Sequence, residues 1–381
     1  MKIVMIGQKS IPASAGGVDR HVEDLARRLV QQGDEVIAYC QRKYTHTQKR
    51  IPMWYGIRLF YIPVISTKHL TTVVQTFLAT IHTLFLRPDV IHYHGIGPSL
   101  FAVIPRVCTP WVTVISTFHS QDYFHKKWGI FARFVFHIGE YVACHWTHKT
   151  IVVSQALQEY VAREHRRSAE YIPNAVSFHE KIKPNKMKEL GIPAGNYILS
   201  VSRLVRHKGI HNIIEAYTIV KKLLQNTPKL VIVGGSSFTD DYVSFLKTKA
   251  TGDPDILFTG ELSGSVLGEL YSNASVFVQA SEDEGISLAL LEALSYGCPV
   301  LVSDIVGNKE VLACHECTFQ NGNVSDLVNK LKAIFTLKHN TKICAYTHQA
   351  HVREVYNIDK TSQSVARVYA KPLHFFPYFL Y

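Results

Sequence analysis

The sequence has 381 residues, of which 47% are hydrophobic and 19% are charged, with a formal net charge of +11 at pH 7. The length is large for one hydrophobic core and the composition is that of a globular protein, which excludes an intrinsically disordered chain and favours two domains. The charge is uneven, because residues 1–175 have 20 Lys and Arg against 11 Asp and Glu, whereas residues 176–381 have 21 against 19. The basic first half favours contact with an anionic surface, either lipid headgroups or nucleic acid.

Cysteine content and apolar runs exclude further classes. The seven Cys residues form no recognisable disulfide framework, and Cys314 and Cys317 are a single C-x2-C pair, which is too little to indicate a metal site. The start, MKIVMIG, lacks the longer apolar region of a signal peptide, and no apolar run reaches the roughly 18 residues of a membrane span. We therefore expect a cytoplasmic protein, either soluble or peripheral on the inner membrane face.

The first half alternates predicted strands and helices. An apolar run at 2–7, a Gly-bearing loop and a helical stretch at 18–32 are typical of the opening of a doubly wound α/β unit. Further strands are predicted at 35–40, 58–63, 89–95, 111–119, 150–155 and 170–174. Because ligands bind beyond the carboxyl ends of such strands, His94, His119 and the Gly16-Gly17 turn could meet in one crevice.

The second half repeats this pattern after a polar, Lys-rich connection at 176–190. Strands are predicted at 197–204, 229–235, 255–260, 276–281 and 299–304, with helices between most of them. We predict two Rossmann-like domains, 1–175 and 176–360, that face each other across a cleft. The tail 361–381 ends in LHFFPYFLY, which we expect to pack on a domain or to contact a membrane, since exposed aromatic residues are costly.

The stretch ASEDEGISLALLEALSYGCPVLV, residues 280–302, is where the sequence most suggests a ligand site. Good helix formers and a closing Gly predict a helix over 287–297. Glu284, Gly285 and Ile286 would lie at its N-terminus, where backbone N–H groups and the helix dipole attract anions or sugar hydroxyls.

Two carboxylates of this stretch, Glu284 and Glu292, are eight residues apart, but Glu261 and Glu269 have the same spacing. Eight helical steps would separate the pair by about 12 Å. A glycosidase acid and nucleophile need about 5 to 10 Å, so the pair better suits a long ligand touched at both ends, such as a nucleotide diphosphate sugar. Two solvated helix acids are the alternative interpretation.

Basic and Gly residues after predicted strands add to this hypothesis. Two cations, Arg203 and Lys208, lie in SRLVRHKG. The Arg guanidinium can bind two phosphate oxygens and the Lys ammonium adds a compact charge, so together they suit a diphosphate without a metal. Ordinary surface charge is the alternative interpretation. Gly16 and Gly17 allow close backbone approach to a ligand or form an ordinary turn. They are not part of a G-x-G-x-x-G fingerprint, so no dinucleotide cofactor is expected.

Histidines end two of the predicted strands. His119 is placed to donate a hydrogen bond to a sugar hydroxyl or to support developing charge, unless it is structural. His92 and His94 would face the same side of their strand. They could mimic metal ligands, but the sequence shows no third ligand, and we interpret them as structural.

Two stretches of the first half, 67–87 and 123–149, combine basic and aromatic residues. At helical spacing such residues can lie in a membrane interface, with Lys and Arg toward the lipid phosphates. An apolar stripe buried in the core is the alternative.

In order, the segments AGGVDRHVEDLARRL, DVIHYHGIG, STFHSQDY, TIVVSQ, YIPNAV, VSRLVRHKGIHNIIEAY and EDEGISLALLEALSYGCPVLVSD resemble the retaining glycosyltransferases of family 4, which have the GT-B fold. YGIRLFYIPV, STKHL and HYHGIGPSL resemble a bacterial subgroup often described as rhamnosyltransferases. The resemblance implies transfer of a sugar from a nucleotide diphosphate sugar to a glycan or lipid-linked acceptor in surface polysaccharide synthesis. It also implies that no metal is needed, and we expect neither a cofactor nor a nucleic-acid partner.

The resemblance further implies roles for the acidic stretch. Glu284 would contact the donor sugar as a catalytic residue, and backbone N–H groups near Gly285, Ile286 and Ser287 would hold the sugar or phosphate. Glu292 would bind the ribose hydroxyls. Family members commonly have an aromatic residue and a Gly where this chain has Ile286 and Ser287, so the sugar specificity does not transfer.

For the remaining residues, the resemblance implies that Arg203 and Lys208 bind the diphosphate. His119 would reach the sugar from the other domain as a second catalytic residue, and Gly16 and Gly17 would border the phosphates and the acceptor. Two other classes stay open: a GT-B epimerase or phosphorylase, and a noncatalytic protein that binds nucleotide sugar or nucleic acid. No RNA- or DNA-binding motif is present, and donor turnover would separate the enzymes from the binding proteins.

Overall fold

The computed structural model describes residues 1–13, 16–41, 51–62, 70–121, 129–236, 239–313, 316–337 and 341–370. The chain divides into two compact units, one formed by Met1–Ala175 with the chain from Ile358 onward, and the other by Val176–Asn357. Each unit is a mainly parallel β-sheet with helices, which confirms the predicted α/β fold class of two Rossmann-like domains.

The strands of the first unit form one sheet. They are β1 (Lys2–Ile6), β2 (Glu35–Gln41), β3 (Met53–Trp54), β4 (Ile57–Ile62), β5 (Val90–His94), β6 (Thr113–Phe118), β7 (Lys149–Val152) and β8 (Glu170–Tyr171). Their order is β3-β4-β2-β1-β5-β6-β7-β8, and only the β3–β4 pair among them is antiparallel. Because successive side chains of a strand point to opposite faces, Ile3 and Met5 enter one core and Val4 and Ile6 enter another.

Helices cover both faces of this sheet. In the described part of the first half they are α1 (Gly17–Gln31), α2 (Leu70–Leu86), α3 (Ile96–Ser99), α4 (Val103–Cys108), α5 (Ile130–His145) and α6 (Gln155–His165), with a 3-10 turn at Leu100–Ala102. Val22, Leu25 and Leu29 of α1 join the same core as Ile3. The predicted helix at 18–32 is therefore present, displaced by one residue at each end.

The second unit has the sheet order β11-β10-β9-β12-β13-β14, with parallel pairs throughout the described strands. The strands are β9 (Tyr197–Val201), β10 (Lys229–Val233), β11 (Ile256–Gly260), β12 (Val276–Gln279), β13 (Val300–Ser303) and β14 (Thr318–Phe319). The helices are α7 (Lys186–Glu189), α8 (Ile210–Leu223), α9 (Asp240–Lys249), α10 (Gly264–Asn273), α11 (Leu288–Ser295), α12 (Val306–Val311), α13 (Val324–Leu337) and α14 (Thr341–Val355), with a 3-10 turn at Arg206–Lys208. Among the described helices of the whole chain, none has both the length and the hydrophobicity needed to cross a membrane.

The last described helix, α15 (Ile358–Ala370), returns to the first unit. Its Asp359 pairs with Arg28 of α1 at 2.7 Å, and Tyr369 is buried in the core that α1 shares. The sequence-based boundary at 360 falls inside this helix, and the second unit instead ends at Asn357. α15 contacts α1, which lies more than 300 residues earlier in the chain. Gln32 and Ser362, which form a hydrogen bond, are 330 residues apart. No local sequence pattern predicts such a contact. Residues 371–381, which include the aromatic tail, lie outside the described chain.

Candidate functional site

At the centre of the second sheet, β9 and β12 are neighbours, and the chain continues from them toward opposite edges. β10 lies beside β9 on one side, and β13 lies beside β12 on the other. Such a topological switch point opens a crevice beyond the carboxyl ends of the strands, where ligands bind in parallel α/β sheets. The loops at this point are 202–209 after β9 and 280–287 after β12.

These two loops are in close contact. Gly209 has a φ of +66°, and a Cβ added there would lie 2.0 Å from the carbonyl oxygen of Ala280. The backbone N–H of Glu282 donates to the carbonyl oxygen of His207 at 2.8 Å. Only a Gly permits both this conformation and this approach. Gly209 therefore brings loop 202–209, the basic loop, against loop 280–287, the acidic loop.

The closest link between the loops is an ion pair of Lys208 with Glu284. The same Oε1 of Glu284 accepts a hydrogen bond from Ser281 Oγ at 2.8 Å. Both charged side chains are only 14% exposed, so water screens the pair poorly. The structure thus brings together the lysine predicted to bind the diphosphate and the carboxylate predicted to bind the sugar, and each neutralises the other.

Arg203 lies on the same basic loop and is half-buried. Within the described chain, no carboxylate forms an ion pair with its guanidinium. A Cβ on Gly234 would lie 1.8 Å from the carbonyl oxygen of Ser202, so the neighbouring strand end holds this loop tightly. Arg203 is therefore a positioned cation beside a switch point, which is the arrangement that an anionic ligand requires.

The predicted helix at 287–297 is shorter than expected at both ends. It runs from Leu288 to Ser295, and Gly297 follows with a φ of +67°, which ends the helix. Glu284 therefore precedes the first helical residue by four positions. The expected separation of about 12 Å assumed eight helical steps, and half of those steps are not helical.

Ile286 and Ser287 have structural side chains. Ile286 is 6% exposed and packs in the core of the second unit. Ser287 Oγ accepts from the backbone N–H of Leu290 at 3.3 Å, which caps α11, and donates to Gln279 Oε1 at 2.7 Å. A sugar contact at these positions would therefore use the backbone rather than the side chains.

The first turn of α12 supports the acidic loop from behind. A Cβ on Gly307 would lie 1.9 Å from the carbonyl oxygen of Gly285 and 2.5 Å from that of Glu284. The adjacent Asn308, fully buried, donates from Nδ2 to the carbonyl oxygen of Ser303 at 2.9 Å. Gly307 and Asn308 were not expected from the sequence, because a single Gly-Asn after a strand is indistinguishable from an ordinary turn.

The two Glu pairs with equal spacing have different surroundings. Glu292 lies against the phenol of Tyr271, and burial, followed by the charge of Glu292, raises the pKa of that phenol well above its usual value. Tyr271 in turn stacks on Tyr296, with ring centroids 6.0 Å apart. Glu269 instead accepts backbone N–H groups of Asn185 and Met187 at 2.9 and 3.1 Å, and so caps α7. Glu292 and Glu269 thus differ in their contacts and not in their spacing. Glu269 is structural, whereas Glu292 stays a candidate ligand residue.

In the first unit, three histidines converge at the switch point between β1 and β5. His94 is the last residue of β5, His119 follows β6, and His21 lies on α1, which follows β1. One ring nitrogen from each lies within 4.8 Å of the others. His21 was likewise not expected from the sequence, and it supplies the third imidazole, whose absence had favoured a structural role for His94.

His92 and His94 face the same side as predicted, with ring centroids 4.0 Å apart, but their partners differ. The ring nitrogens of His92 lie 2.7 Å from the hydroxyls of Tyr369 and Thr117, so this residue is structural. His94 Nδ1 lies 3.5 Å from His119 Nε2.

Burial dominates the protonation of this cluster. It lowers the pKa of His21 to about 4 and that of His92 to about 3, and it lowers the pKa values of His94 and His119 well below the usual value. A hydrogen bond with Asn174 only partly opposes this effect at His119. His119 is therefore neutral at pH 7, so it can exchange a hydrogen bond with a ligand but does not bring a positive charge.

The Gly16-Gly17 turn lies at the start of α1. A Cβ added to Gly16 would meet no described atom within 4 Å, and Gly17 is exposed. The preceding loop is held by α1, because Asp19 accepts the backbone N–H of Lys9 and Glu23 accepts that of Ala13, both at 2.7 Å. The turn thus has the open space beside the backbone that a ligand would need.

Family comparison agrees with this geometry. A sequence model of Glycosyltransferase Family 4 matches residues 15–180, and a model of Glycosyl transferases group 1 matches residues 182–350. The chain is a glycosyltransferase. Each of its two units is thus matched by a glycosyltransferase model over most of its length.

Relatives and solved structures extend this result. The glycosyltransferase is 27% identical over 338 residues to an uncharacterized glycosyltransferase of Methanocaldococcus jannaschii, which covers 82% of this chain and 83% of that one. It is 30% identical over 217 residues to the O-antigen chain mannosyltransferase RfbU of Salmonella typhimurium, over 55% of this chain and 56% of that protein. The crystal structure of Anabaena HepE in complex with UDP-glucose superposes with a TM-score of 0.78, 17% identity and coverage of 97% and 99%. These similarities confirm the GT-B fold, whereas the rhamnosyltransferase-like subgroup stays a prediction.

Proposed function

We propose that this glycosyltransferase moves a sugar from a nucleotide diphosphate sugar to a hydroxyl of a glycan or lipid-linked glycan. We further propose that it does so with retention of configuration and without a metal, in the assembly of a bacterial surface polysaccharide. The observation that carries the proposal is the meeting of Lys208 and Glu284 beside Arg203 at the switch point of the second sheet. The similarity to RfbU supports the polysaccharide role, and the UDP-glucose in HepE supports the donor class.

The basic loop would bind the diphosphate. Arg203 supplies a guanidinium that can pair with two phosphate oxygens, and Lys208 supplies a second positive charge close by. Since Lys208 is already paired with Glu284, an incoming diphosphate competes with that carboxylate for the ammonium. The donor would then draw Lys208 to the phosphates and leave Glu284 to accept hydrogen bonds from sugar hydroxyls.

Sugar transfer would be promoted by stabilisation of the leaving diphosphate. The bond between the anomeric carbon and the diphosphate oxygen breaks, and the acceptor oxygen forms its bond on the same face of the sugar, while the acceptor proton passes to the leaving diphosphate. Negative charge grows on that diphosphate, next to Arg203 and Lys208. His119, being neutral, would hold a sugar hydroxyl rather than stabilise the charge.

The ribose role of Glu292 can be tested by nucleotide binding. A charged hydrogen bond to a ribose hydroxyl is worth about 1.5–3 kcal/mol, so Glu292→Ala should weaken the affinity for the preferred nucleoside diphosphate by about tenfold or more. Thermal-shift titration with UDP, GDP and dTDP would identify the nucleotide, and calorimetry would give its Kd. Glu215→Ala, on the exposed side of α8, is the matched control. Equal affinity of the Glu292 variant and the wild type would remove the ribose assignment.

We also propose that the first unit contacts an anionic membrane through an exposed apolar surface on α2 and α5. The surface includes Phe77 and Phe85 of α2, at 42% and 78% exposure, and Ile130 and Phe134 of α5, at 88% and 61%. Both helices pack against α3 and the 3-10 turn that follows it, and Ala79 of α2 and Val142 of α5 enter the same core on one face of the sheet. The excess of basic residues in 1–175 supplies the complementary charge.

Vesicle binding tests this surface. The wild-type protein should bind vesicles of anionic phospholipid at low salt and release them as ionic strength rises. Ile130→Ser with Phe134→Ser should weaken binding about tenfold or more, because each buried apolar side chain contributes about 1.5–3 kcal/mol. Leu223→Ser, at a 56% exposed apolar position of the second unit, should bind as the wild type does. If the wild type fails to bind at low salt, membrane contact through this surface is excluded.

A further inference from the structure

We propose that His21, His94 and His119 form a binding site for a divalent transition metal ion such as Zn²⁺, and that the bound ion inhibits sugar transfer. The metal-binding part stands on the geometry of the first unit. The inhibitory part rests on the proposed function, in which His119 contacts the donor sugar.

The spacing of the three rings fits a metal of this class. Zinc binds imidazole nitrogen at about 2.0–2.1 Å, so two nitrogen ligands of a tetrahedral site are about 3.4 Å apart. His94 Nδ1 and His119 Nε2 are already 3.5 Å apart, and the three ligand nitrogens lie within 4.8 Å of one another. His21 would supply the third coordination position and leave the fourth for water.

An unsatisfied ring nitrogen of His21 gives an independent indication of a ligand. His21 Nδ1 is buried and has no hydrogen-bond partner in the described chain, and the residue is only 3% exposed. Buried polar atoms in folded proteins nearly always have a partner. The neighbouring His92, with hydroxyls at 2.7 Å from both ring nitrogens, follows that rule. The open nitrogen thus belongs to a residue of the converging cluster, not to the structural His92.

The ligand set selects the kind of ion. All three groups are neutral imidazoles, which suit Zn²⁺, Co²⁺, Ni²⁺ and Cu²⁺, whereas Mg²⁺ and Ca²⁺ prefer oxygen ligands. The rings are held by a strand end, the residue after a strand and a helix, so the site is preorganised on rigid elements. An ion bound to His119 would occupy the nitrogen that a sugar hydroxyl needs.

Titration of the full chain with Co²⁺ tests the site directly. The expected result is one equivalent bound, with the strong visible absorption of four-coordinate Co²⁺, displaced by Zn²⁺ and unaffected by excess Mg²⁺. His21→Gln and His94→Gln should each weaken binding at least about tenfold, because loss of a ligand costs no less than loss of its supporting partner. His137→Gln, an exposed His of α5, is the matched control.

The outcomes separate the two parts of the proposal. Absence of four-coordinate Co²⁺ in the wild-type protein would overturn the site, whether or not the variants fold. Equal binding by folded His21 and His94 variants, checked by circular dichroism, would also overturn it. Inhibition of transfer by stoichiometric Zn²⁺ supports the second part, and a fully active Zn²⁺ complex would refute it while the Co²⁺ result stands. The Co²⁺ titration needs no sugar donor, so its result is independent of the proposed transfer reaction.

Discussion

Replacement of both Arg203 and Lys208 by Ala is expected to lower kcat for sugar transfer by about 10³-fold or more. Removal of a single group that stabilises developing negative charge commonly costs about 10²–10³ in kcat, and these two residues are the cations of the basic loop that we assign to the leaving diphosphate. The loss should be larger in kcat than in donor affinity, because the charge grows as the sugar leaves. Steady-state kinetics with the identified donor would measure both quantities.

A matched control separates this role from a general effect of charge. Lys247→Ala with Lys249→Ala removes two positive charges from α9 in the same unit and should leave kcat nearly unchanged. Full activity of the Arg203 and Lys208 double variant would exclude the diphosphate assignment. A loss shared by both double variants would mean that long-range charge, not the basic loop, steers the donor.

Glu284→Gln should affect nucleotide binding and sugar transfer differently. The amide keeps the size of the side chain and can still accept the hydrogen bond from Ser281 Oγ, but it no longer neutralises Lys208. The freed ammonium should bind a nucleoside diphosphate as tightly as, or more tightly than, the wild type does. Transfer should nevertheless fall by about 10²-fold, because the carboxylate no longer orients the sugar.

Calorimetry with the nucleoside diphosphate and kinetics with its sugar would test this divergence. Glu282→Gln is the control, because Glu282 is an exposed carboxylate on the same loop and contributes its backbone N–H, not its side chain, to the contact with His207. Parallel losses of nucleotide affinity and transfer in Glu284→Gln would falsify the competition between Glu284 and the diphosphate for Lys208.

Much of the fold could be predicted because parallel strands that are buried on both faces are continuous apolar runs. β1, β10 and β12 are of this kind, and each was expected within two residues at either end. β3 and β14 were not expected, because a strand of two residues has no pattern to detect. α11 was identified by its helix formers and by Gly297, but a sequence does not show whether Ser287 is the first helical residue or the cap before it.

The candidate site was predictable where its residues follow strands. Arg203, Lys208 and Glu284 come after β9 and β12, and the parallel sheet brings such residues to one edge. Their pairing was not predictable, since Lys208 and Glu284 are 76 residues apart and meet only because Gly209 admits the second loop.

The proximity of His21 to the two strand-end histidines could not be predicted either. His94 and His119 end neighbouring strands and were expected to be close, whereas His21 is a helix residue whose direction depends on how α1 packs. The local sequence gives the chemistry of each side chain. It does not give the rotation of a helix about its axis, which sets the direction of the side chain.

The most direct test of nucleotide-sugar-dependent transfer is the release of nucleoside diphosphate from a panel of UDP, GDP and dTDP sugars, with and without a membrane fraction containing lipid-linked glycan. One donor should release its diphosphate in step with acceptor glycosylation, in the presence of a chelator, and NMR of the product should show the anomeric configuration of the donor. Release that does not depend on the acceptor would indicate hydrolysis or epimerisation, and inversion at the anomeric carbon or no release from any donor would contradict retaining transfer by this chain.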